Sequence, residues 1–174
     1  KSLLGAPRKL SEAIGVQFVG PTIMRYGSAE QKERYVKAIG KAEVVFCLGY
    51  SEPQAGSDLG AVQTRAVRAG DGYRIDGQKI FTTFAHCADF CWLLARTNPD
   101  APKHKGLSLF IVDMKTPGIT VRPLINVLGS HSFNEVYFDN ALIPQKSLVG
   151  DENLGWQYLM TALAYERSFT SSPA

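Results

Sequence analysis

The spacing of hydrophobic and polar residues divides the chain into three regions. Residues 1–42 are predicted to be helical, because apolar residues recur every three or four positions, with an interruption near Gly20-Pro21. Ser28 and Gln31 have the spacing of a capping box, in which each side chain bonds the backbone N–H of the other. A second helix is therefore expected to begin directly after Ser28.

From residue 43 to residue 150 the pattern changes to short runs of β-branched and aromatic residues, separated by Gly, Pro, Asn and Asp. "AGDGY" at residues 69–73 predicts a hairpin turn. Residues 151–174 return to a helical period. The apolar face of this last helix would consist of Trp156, Leu159, Met160, Leu163 and Ala164. The sequence thus predicts an α+β chain in which an antiparallel sandwich or barrel is flanked by helices.

Composition narrows the possible functions only slightly. Of the 174 residues, 45% are hydrophobic and 20% charged, as in ordinary globular proteins. The net charge of +3 is too small to indicate nucleic-acid binding, and no apolar run is long enough to predict a membrane span. Three cysteines without paired spacing predict reduced thiols, as in a cytoplasmic protein. Because the last residues directly follow a helical pattern, we expect the chain to be a piece of a longer protein.

The stretch "YSEPQAGSDLG", residues 50–60, follows an apolar strand and consists almost entirely of small and polar residues. Gly56 and Ser57 would allow backbone N–H groups and a hydroxyl to approach an anion or an extended cofactor. The stretch is not a P-loop, because the Gly-Lys-Ser/Thr ending is missing. The pattern alone also allows a plain surface loop.

A second candidate segment is "GQKIFTTFAH", residues 77–86, at the end of a predicted strand. Phe81 could stack on a planar ring, and Thr83 could donate a hydrogen bond to it. The alternative is a core Phe followed by ordinary strand threonines, which is the more common arrangement.

Two groups of metal-ligating or titratable residues are further candidates for a site. His86, Cys87, Asp89 and Cys91 form a cluster whose spacing matches no standard zinc pattern, so no metal is predicted. His104 lies in a polar loop, where it would be solvated or would contact a phosphate.

Glu166 and Arg167 lie late on the last predicted helix, and Glu166 falls on or beside its apolar face. A carboxylate against apolar surroundings has a raised pKa and suits proton abstraction. A structural ion pair explains the same position equally well.

Taken in order, these segments resemble the acyl-CoA dehydrogenase family. The resemblance rests on "RYGSAEQKERYV", "YSEPQAGSDLGAVQTRA", "YRIDGQKIFTT", "GLSLFIVDMKTPGITV" and "NEVYFDNALIPQKSLVG". It covers nearly the whole chain, and "SEPQAGSD" followed by "DGQKIFTT" is a highly specific pair. "FTTFAHCADFCWLLARTNPDAPKHKGLS" is most similar to actinobacterial members that act on bulky CoA thioesters, including steroid side chains. Phe84 and His86 depart from the common "TN" continuation.

The resemblance implies a fold and an activity. Residues 1–42 would end an N-terminal helical domain, 43–150 would form the middle β-barrel domain, and 151–174 would begin a truncated C-terminal helical bundle. The activity is FAD-dependent α,β-dehydrogenation of an acyl-CoA thioester, in which a carboxylate removes the α proton and the β hydrogen leaves as hydride to flavin N5. An electron-transferring flavoprotein would accept the electrons, and the enzyme would be a homo- or hetero-tetramer. A bacterial member would be cytoplasmic, and a eukaryotic one would lie in the mitochondrial matrix.

The resemblance also implies site residues. Phe81 matches the aromatic that packs on the flavin, Thr83 the hydroxyl near N5, and Ser51 a residue near the pyrimidine edge. Ser57 would also face the CoA portion of the substrate, and His104 would contact the CoA nucleotide. Arg167 would orient the substrate or the flavin neighbourhood. The full set of expected flavin contacts is Leu48, Tyr50, Ser51, Gly56, Ser57, Phe81, Thr82 and Thr83.

The catalytic base and the activity itself have alternatives. Glu166 matches the base of the isovaleryl and long-chain branches, whereas most members carry the base in a part of the bundle beyond this chain. The chain would be inactive or nearly so by itself, since half of the cofactor site would be missing. There are two alternatives to a dehydrogenase: a non-catalytic flavin- or acyl-CoA-binding subunit of a hetero-oligomer, and an acyl-CoA oxidase.

Overall fold

The computed structural model describes residues 13–170, with side chains up to residue 164. Helix α1 comprises a π-helical segment, Gly15–Val19, and an α-helical segment, Gly20–Tyr26. Helix α2 runs through Ala29–Gln31, Lys32–Val36 and Lys37–Gly40, and helix α3 covers Gly155–Thr170. The helical prediction for residues 1–42 is confirmed for 13–26 and 29–40, and residues 1–12 lie outside the described part of the chain.

Eight strands lie between helices α2 and α3. They are β1 (Phe46–Gly49), β2 (Arg65–Ala69), β3 (Gly72–Lys79), β4 (Phe90–Arg96), β5 (Leu107–Asp113), β6 (Ile119–Ile125), β7 (His131–Pro144) and β8 (Leu148–Val149). Three short 3₁₀ turns, Leu59–Ala61, Ala85–Cys87 and Gln145–Ser147, connect them.

The predicted interruption at Gly20-Pro21 is wrong, because helix α1 continues through both residues. Proline has no N–H to donate to the carbonyl four residues before it. The preceding segment is instead π-helical, and the Gly20 N–H bonds the carbonyl of Gly15, five residues back. The wider turn therefore accommodates the proline without ending the helix.

The sheet has the order β6-β7-β3-β2-β4-β5-β8, with β1 paired to β4 outside this path. The prediction of a β-rich region between helices is confirmed, but the sheet is not closed into a barrel. It is also not wholly antiparallel, since β1 and β2 both run parallel to β4. The predicted hairpin is present: Ala69 pairs with Gly72, and Gly70 between them has a φ of 58°. This hairpin separates β1 from β4 along the chain, which allows the two strands to pair in parallel.

Strand β4 is buried on both faces and joins two hydrophobic clusters. Trp92 and Leu94 face the cluster that includes helices α1 and α2, whereas Leu93 faces the cluster formed with β3, β5 and β7. This double burial explains why β4 reads as a continuous apolar run and not as an alternating one.

Helix α3 is fixed at its start by contacts with β5 and helix α1. A Cβ at Gly155 would lie 2.6 Å from the backbone of Ser108, so only glycine permits this approach. The rings of Tyr26 and Tyr158 stack with centroids 4.2 Å apart, and the Tyr26 hydroxyl bonds that of Thr161 at 3.0 Å. Among the described residues, no helix is long and apolar enough to cross a membrane.

The predicted capping box is present and also attaches helix α2 to the sheet. Ser28 Oγ accepts from the Gln31 N–H and Gln31 Oε1 from the Ser28 N–H, both at 3.1 Å. Gln31 Nε2 then donates to the carbonyls of Lys146 and Leu148, both at 2.8 Å. The buried Gln31 side chain thus accepts the N–H at the start of helix α2 and donates to two carbonyls, one in the turn before β8 and one at its first residue.

We predict that Gln31→Ala destabilises the protein by about 2–4 kcal/mol, because it leaves buried polar groups without partners. Urea unfolding of the full-length protein that contains this chain measures the loss. Lys32→Ala at the neighbouring exposed position is the control and should change the free energy of unfolding by less than about 0.5 kcal/mol. Equal effects of the two substitutions would contradict the docking role of Gln31.

Candidate functional site

The loop after β1 folds into a tight turn that closes on itself. Glu52 and Ala55 exchange two backbone hydrogen bonds, each 3.0 Å long, around Pro53-Gln54. The carbonyl of Ser51 accepts a hydrogen bond of 2.9 Å from the Ile80 N–H. The first half of the loop is therefore held against the end of β3.

A buried ion pair between Glu52 and Lys79 joins the loop to β3. Glu52 Oε1 lies 2.8 Å from Lys79 Nζ, and the two side chains are 2% and 0% exposed. Lys79 Nζ also donates to the Tyr50 carbonyl at 3.0 Å. Glu52 accepts two further bonds, from the N–H groups of Gln63 at 2.6 Å and Thr64 at 2.9 Å. The pair thus bonds the loop on both sides of its turn.

Burial and hydrogen bonding act in opposite directions on this pair. Burial would raise the pKa of the Glu52 carboxyl, but Lys79 and the bonds from Thr64 and Gln63 more than offset it, so the pKa is lowered. Burial lowers the pKa of the Lys79 ammonium, and Glu52 opposes part of that effect. The environment therefore keeps Glu52 ionised as the acceptor of four donors, which include the Gln54 side chain.

Directly after Lys79 the chain forms a strained turn that exposes an aromatic ring. Phe81 has a φ of 55° and is 63% exposed, and Phe84 has a φ of 52°. Left-handed backbone is costly for a bulky residue and concentrates at functional sites. Thr82 between them is buried, and its hydroxyl has no hydrogen-bond partner among the described residues. The turn thus exposes an aromatic ring and buries a hydroxyl without a described partner.

The second half of the loop passes toward His104. Gly56 and Ser57 are exposed, and a Cβ at Gly56 would meet no atom within 4 Å. The ring of His104 stacks on Trp156 at the start of helix α3, with centroids 4.2 Å apart. A Cβ at Gly60 would lie 2.5 Å from His104 Nε2, so the histidine covers that glycine.

The structure brings together some of the sequence-predicted residues and not others. The Ser51–Ile80 bond places Ser51 and Tyr50 beside the turn of Phe81, Thr82 and Thr83, and Leu48 leads into the loop from β1. Gly56 and Ser57 lie in the exposed second half of the loop, and His104 lies against Gly60 farther along it. Glu166 and Arg167 belong to helix α3, but their side chains lie outside the described part of the chain.

The metal-like cluster separates in three dimensions. Asp89 accepts a hydrogen bond from the Val45 N–H, Cys91 is buried opposite Cys47, and Cys87 is exposed. Among the described residues, no group of three or more His, Cys, Asp or Glu side chains could hold a metal ion.

Sequence reasoning missed three residues that position the candidate site: Glu52, Lys79 and Asn134. Lys79 is a charged residue at a strand end, which usually indicates a solvated side chain. The sequence signal for this pair is an acid, Glu52, in "YSEPQAGSDLG" and a lysine, Lys79, in "GQKIFTTFAH", each close to an apolar run. Asn134 in "FNEVYF" interrupts a strand pattern at an inward position, and a buried amide there needs partners.

The fold and this turn together define a helix-flanked β-sheet domain with a glycine-containing loop after β1 and an exposed aromatic ring after β3. Residues 47–141 match the family described as "Acyl-CoA dehydrogenase, middle domain", which is more than half of the chain. The chain belongs to the acyl-CoA dehydrogenase family.

Named relatives agree with the family. Acyl-CoA dehydrogenase FadE29 of Mycobacterium tuberculosis is 48% identical over 155 residues, which are 89% of this chain and 40% of that protein. The solved structure of the Tcur3481-Tcur3483 steroid ACAD superposes with a TM-score of 0.86 at 44% identity, covering 90% of this chain and 40% of that one. The ChsE4-ChsE5 complex from M. tuberculosis gives a TM-score of 0.83 at 38% identity, with 88% and 40% covered. The chain therefore spans about two fifths of the length of these relatives.

We predict that Lys79→Met in the full-length protein lowers the free energy of unfolding by about 3–5 kcal/mol, because it leaves the Glu52 carboxylate buried and unpaired. The double variant Glu52→Gln/Lys79→Met should lose only about 1–2 kcal/mol, since no charge remains buried. Urea unfolding at neutral pH measures both values, and Lys37→Met at an exposed helix position is the control. A double variant as unstable as Lys79→Met would contradict this assignment.

Acid pH gives an independent check of the same pair. The pKa of Glu52 is lowered in the folded protein, so the carboxylate contributes to the free energy of unfolding in full above the ordinary carboxyl pKa. This contribution is lost as the pH falls through the pKa of the folded protein. The difference in stability between wild type and the double variant should therefore shrink as the pH decreases through the acid range.

Proposed function

We propose that this chain is the flavin-contacting part of an FAD-dependent acyl-CoA dehydrogenase. The observation that carries the proposal is the turn at Phe81, in which strained backbone holds an aromatic ring in solvent beside the loop of residues 50–57. Family membership supplies the reaction class, α,β-dehydrogenation of an acyl-CoA thioester.

The residues present fit a flat, extended cofactor such as FAD. The exposed Phe81 ring offers a stacking surface, and the Thr82 hydroxyl is a buried polar group whose hydrogen bonds are unused among the described residues. The space above Gly56 is open, so backbone there can approach a phosphate closely. Leu48, Tyr50, Ser51, Ser57 and Thr83 complete the proposed contacts.

When bound, FAD would accept the β hydrogen of the substrate as hydride at N5. The chain's own residues would bind and orient it: Phe81 would offer a stacking surface to the ring, and Ser51 and Thr83 would offer hydroxyl groups to its polar atoms. Glu166 on helix α3 would take the α proton of the thioester. Ser57 and His104 would contact the CoA portion, and Arg167 would orient the substrate or the flavin neighbourhood.

The relatives indicate a substrate class and partners. The Tcur3481-Tcur3483 protein is named a steroid ACAD, and ChsE4-ChsE5 is named a complex of two proteins. We therefore propose a bulky CoA thioester as substrate, a homo- or hetero-tetramer as the assembly, and an electron-transferring flavoprotein as acceptor. Residues 1–42 would end the N-terminal helical domain, 43–150 would be the middle domain, and 151–174 would begin the C-terminal bundle.

The visible spectrum of the intact parent protein tests the proposal. Anaerobic titration with acyl-CoAs, including steroid side-chain thioesters, should bleach the flavin band, because substrate oxidation reduces the flavin. Glu166→Gln should abolish bleaching while leaving the flavin bound, because it removes the base and keeps the shape of the side chain.

The other outcomes separate the alternatives. Bleaching that survives Glu166→Gln moves the base into the remainder of the bundle. A protein without a flavin band is a non-catalytic subunit, and rapid reoxidation of the reduced flavin by O₂ identifies an oxidase.

Gly56 provides a test of cofactor binding that is separate from protein stability. We predict that Gly56→Ala weakens FAD binding by about tenfold or more, because the methyl group occupies space that the loop backbone shares with the cofactor. The free energy of unfolding of the apo protein should change by less than about 0.5 kcal/mol, since the new Cβ meets no atom of the chain. Isothermal titration of the apo protein measures the affinity.

The matched control is Gly40→Ala at the end of helix α2, where a Cβ also meets nothing within 4 Å. Its FAD affinity should equal that of wild type. An unchanged affinity in Gly56→Ala would remove this glycine from the proposed site.

A further inference from the structure

Asn134 on β7 is a completely buried amide that bonds three different groups. Its Nδ2 donates to the Thr82 carbonyl at 3.0 Å. Its Oδ1 lies 3.2 Å from His86 Nδ1 and 2.7 Å from His131 Nε2. Its backbone carbonyl accepts the Thr82 N–H at 2.9 Å. Asn134 therefore holds both backbone groups of Thr82, one with its side chain and one with its main chain.

The partners allow only one orientation of this amide. Reversing it would place Oδ1 against the Thr82 carbonyl oxygen, where neither atom can donate. With Oδ1 toward the imidazoles, His86 Nδ1 and His131 Nε2 must both carry hydrogen, and each donates to the same oxygen. The two histidines thus hold the carboxamide oxygen of Asn134, and the carboxamide nitrogen holds the Thr82 carbonyl.

The histidine pair is compact, and its surroundings lower the pKa of His86. The two rings stack with centroids 3.9 Å apart and an angle of 24° between their planes. Burial lowers the pKa of His86, His131 lowers it further, and the bond to Asn134 opposes both effects in part.

Asn134 and the two histidines hold the turn of residues 81–84, whose backbone is strained. Phe81 and Phe84, on either side of Thr82 and Thr83, both have left-handed backbone, which costs about 1–3 kcal/mol per residue in general. Such conformations persist only where surrounding contacts determine them. Besides the bonds to Asn134, the Phe84 N–H donates to the Ser132 carbonyl at 2.8 Å. Hydrogen bonds from the β7 segment between Ser132 and Asn134 thus determine the conformation of the turn.

We propose that Asn134, oriented by His86 and His131, is the positioning residue that sets the Phe81 ring and the Thr83 hydroxyl for the cofactor. This role rests on the proposed function, since it assigns a purpose to a turn that would contact FAD. Asn134 acts through Thr82 and does not itself touch the ligand.

The test uses the full-length protein and compares variants of similar shape. Asn134→Asp keeps the acceptor for both histidines but cannot donate to the Thr82 carbonyl, and Asn134→Ala removes both functions. His131→Phe keeps a stacked ring without a donor, whereas His131→Gln keeps an N–H donor at the position of Nε2. Asn126→Ala is the control, because Asn126 Oδ1 caps only the tip of the β6–β7 hairpin, at Leu128 and Ser130.

Two measurements separate positioning from simple loosening of the fold. Hydrogen exchange of the apo protein reports on the Thr82 and Phe84 amides, which should exchange about tenfold or more faster in both Asn134 variants and in His131→Phe. The wavelength maximum and reduction potential of the bound flavin should shift in the same variants. His131→Gln and Asn126→Ala should resemble wild type in both measurements.

Each remaining outcome is decisive. Faster exchange in the Asn134 variants with an unchanged flavin spectrum and potential would make Asn134 structural and overturn the positioning role. Equal spectral shifts in Asn126→Ala would overturn it as well, because any loosening of the hairpin would then suffice. A wild-type protein that binds no flavin would overturn the proposed function first, and this role together with it.

Discussion

The buried contact between Glu52 and Lys79 is the interaction on which the candidate site depends. Glu52 lies in the loop after β1, and Lys79 ends β3. These two strands are not neighbours in the sheet, since β1 pairs with β4 and β3 lies between β7 and β2. The loop after β1 reaches the end of β3 through this ion pair and through the Ser51–Ile80 bond. A buried ion pair adds little net stability, because desolvation of both charges offsets their attraction. We infer that its value lies in geometry, since it brings two segments to one place.

Strain in the turn that follows Lys79 has a clear structural origin. One end is held by the ion pair and the other by the β7 backbone around Asn134, so the chain between them must turn within a few residues. Phe81 and Phe84 take left-handed conformations as a result. Neither motif can adopt this arrangement alone, which gives a physical reason why "SEPQAGSD" and "DGQKIFTT" occur together in one sequence.

Local features of the fold were predictable from sequence, and long-range ones were not. The capping box at Ser28 and the hairpin at Gly70 depend on residues within five positions of each other, and both are present. Parallel pairing of β1 with β4 depends on a partner more than forty residues away, and no periodicity encodes it. Lys79 was missed for a similar reason, because its burial follows from Glu52 and not from its neighbours in sequence. The type and position of Phe81 predict a ring at the candidate site, but its left-handed backbone follows only from contacts in three dimensions.

Three features of the described residues bear on the ligand that we propose: an exposed ring, a hydroxyl without a described partner and an open glycine. Burying a Phe side chain contributes about 1.5–3 kcal/mol, and relaxing a left-handed residue would recover about 1–3 kcal/mol more. At Phe81 the chain forgoes both gains, although it packs most of its other large apolar residues. Beside it lie a hydroxyl at Thr82 without a described partner and, farther along the loop, a glycine at 56 whose missing side chain relieves no contact within the chain. The exposed ring at Phe81 and the open space at Gly56 are the two features that the proposed flat ligand with a phosphate arm would use.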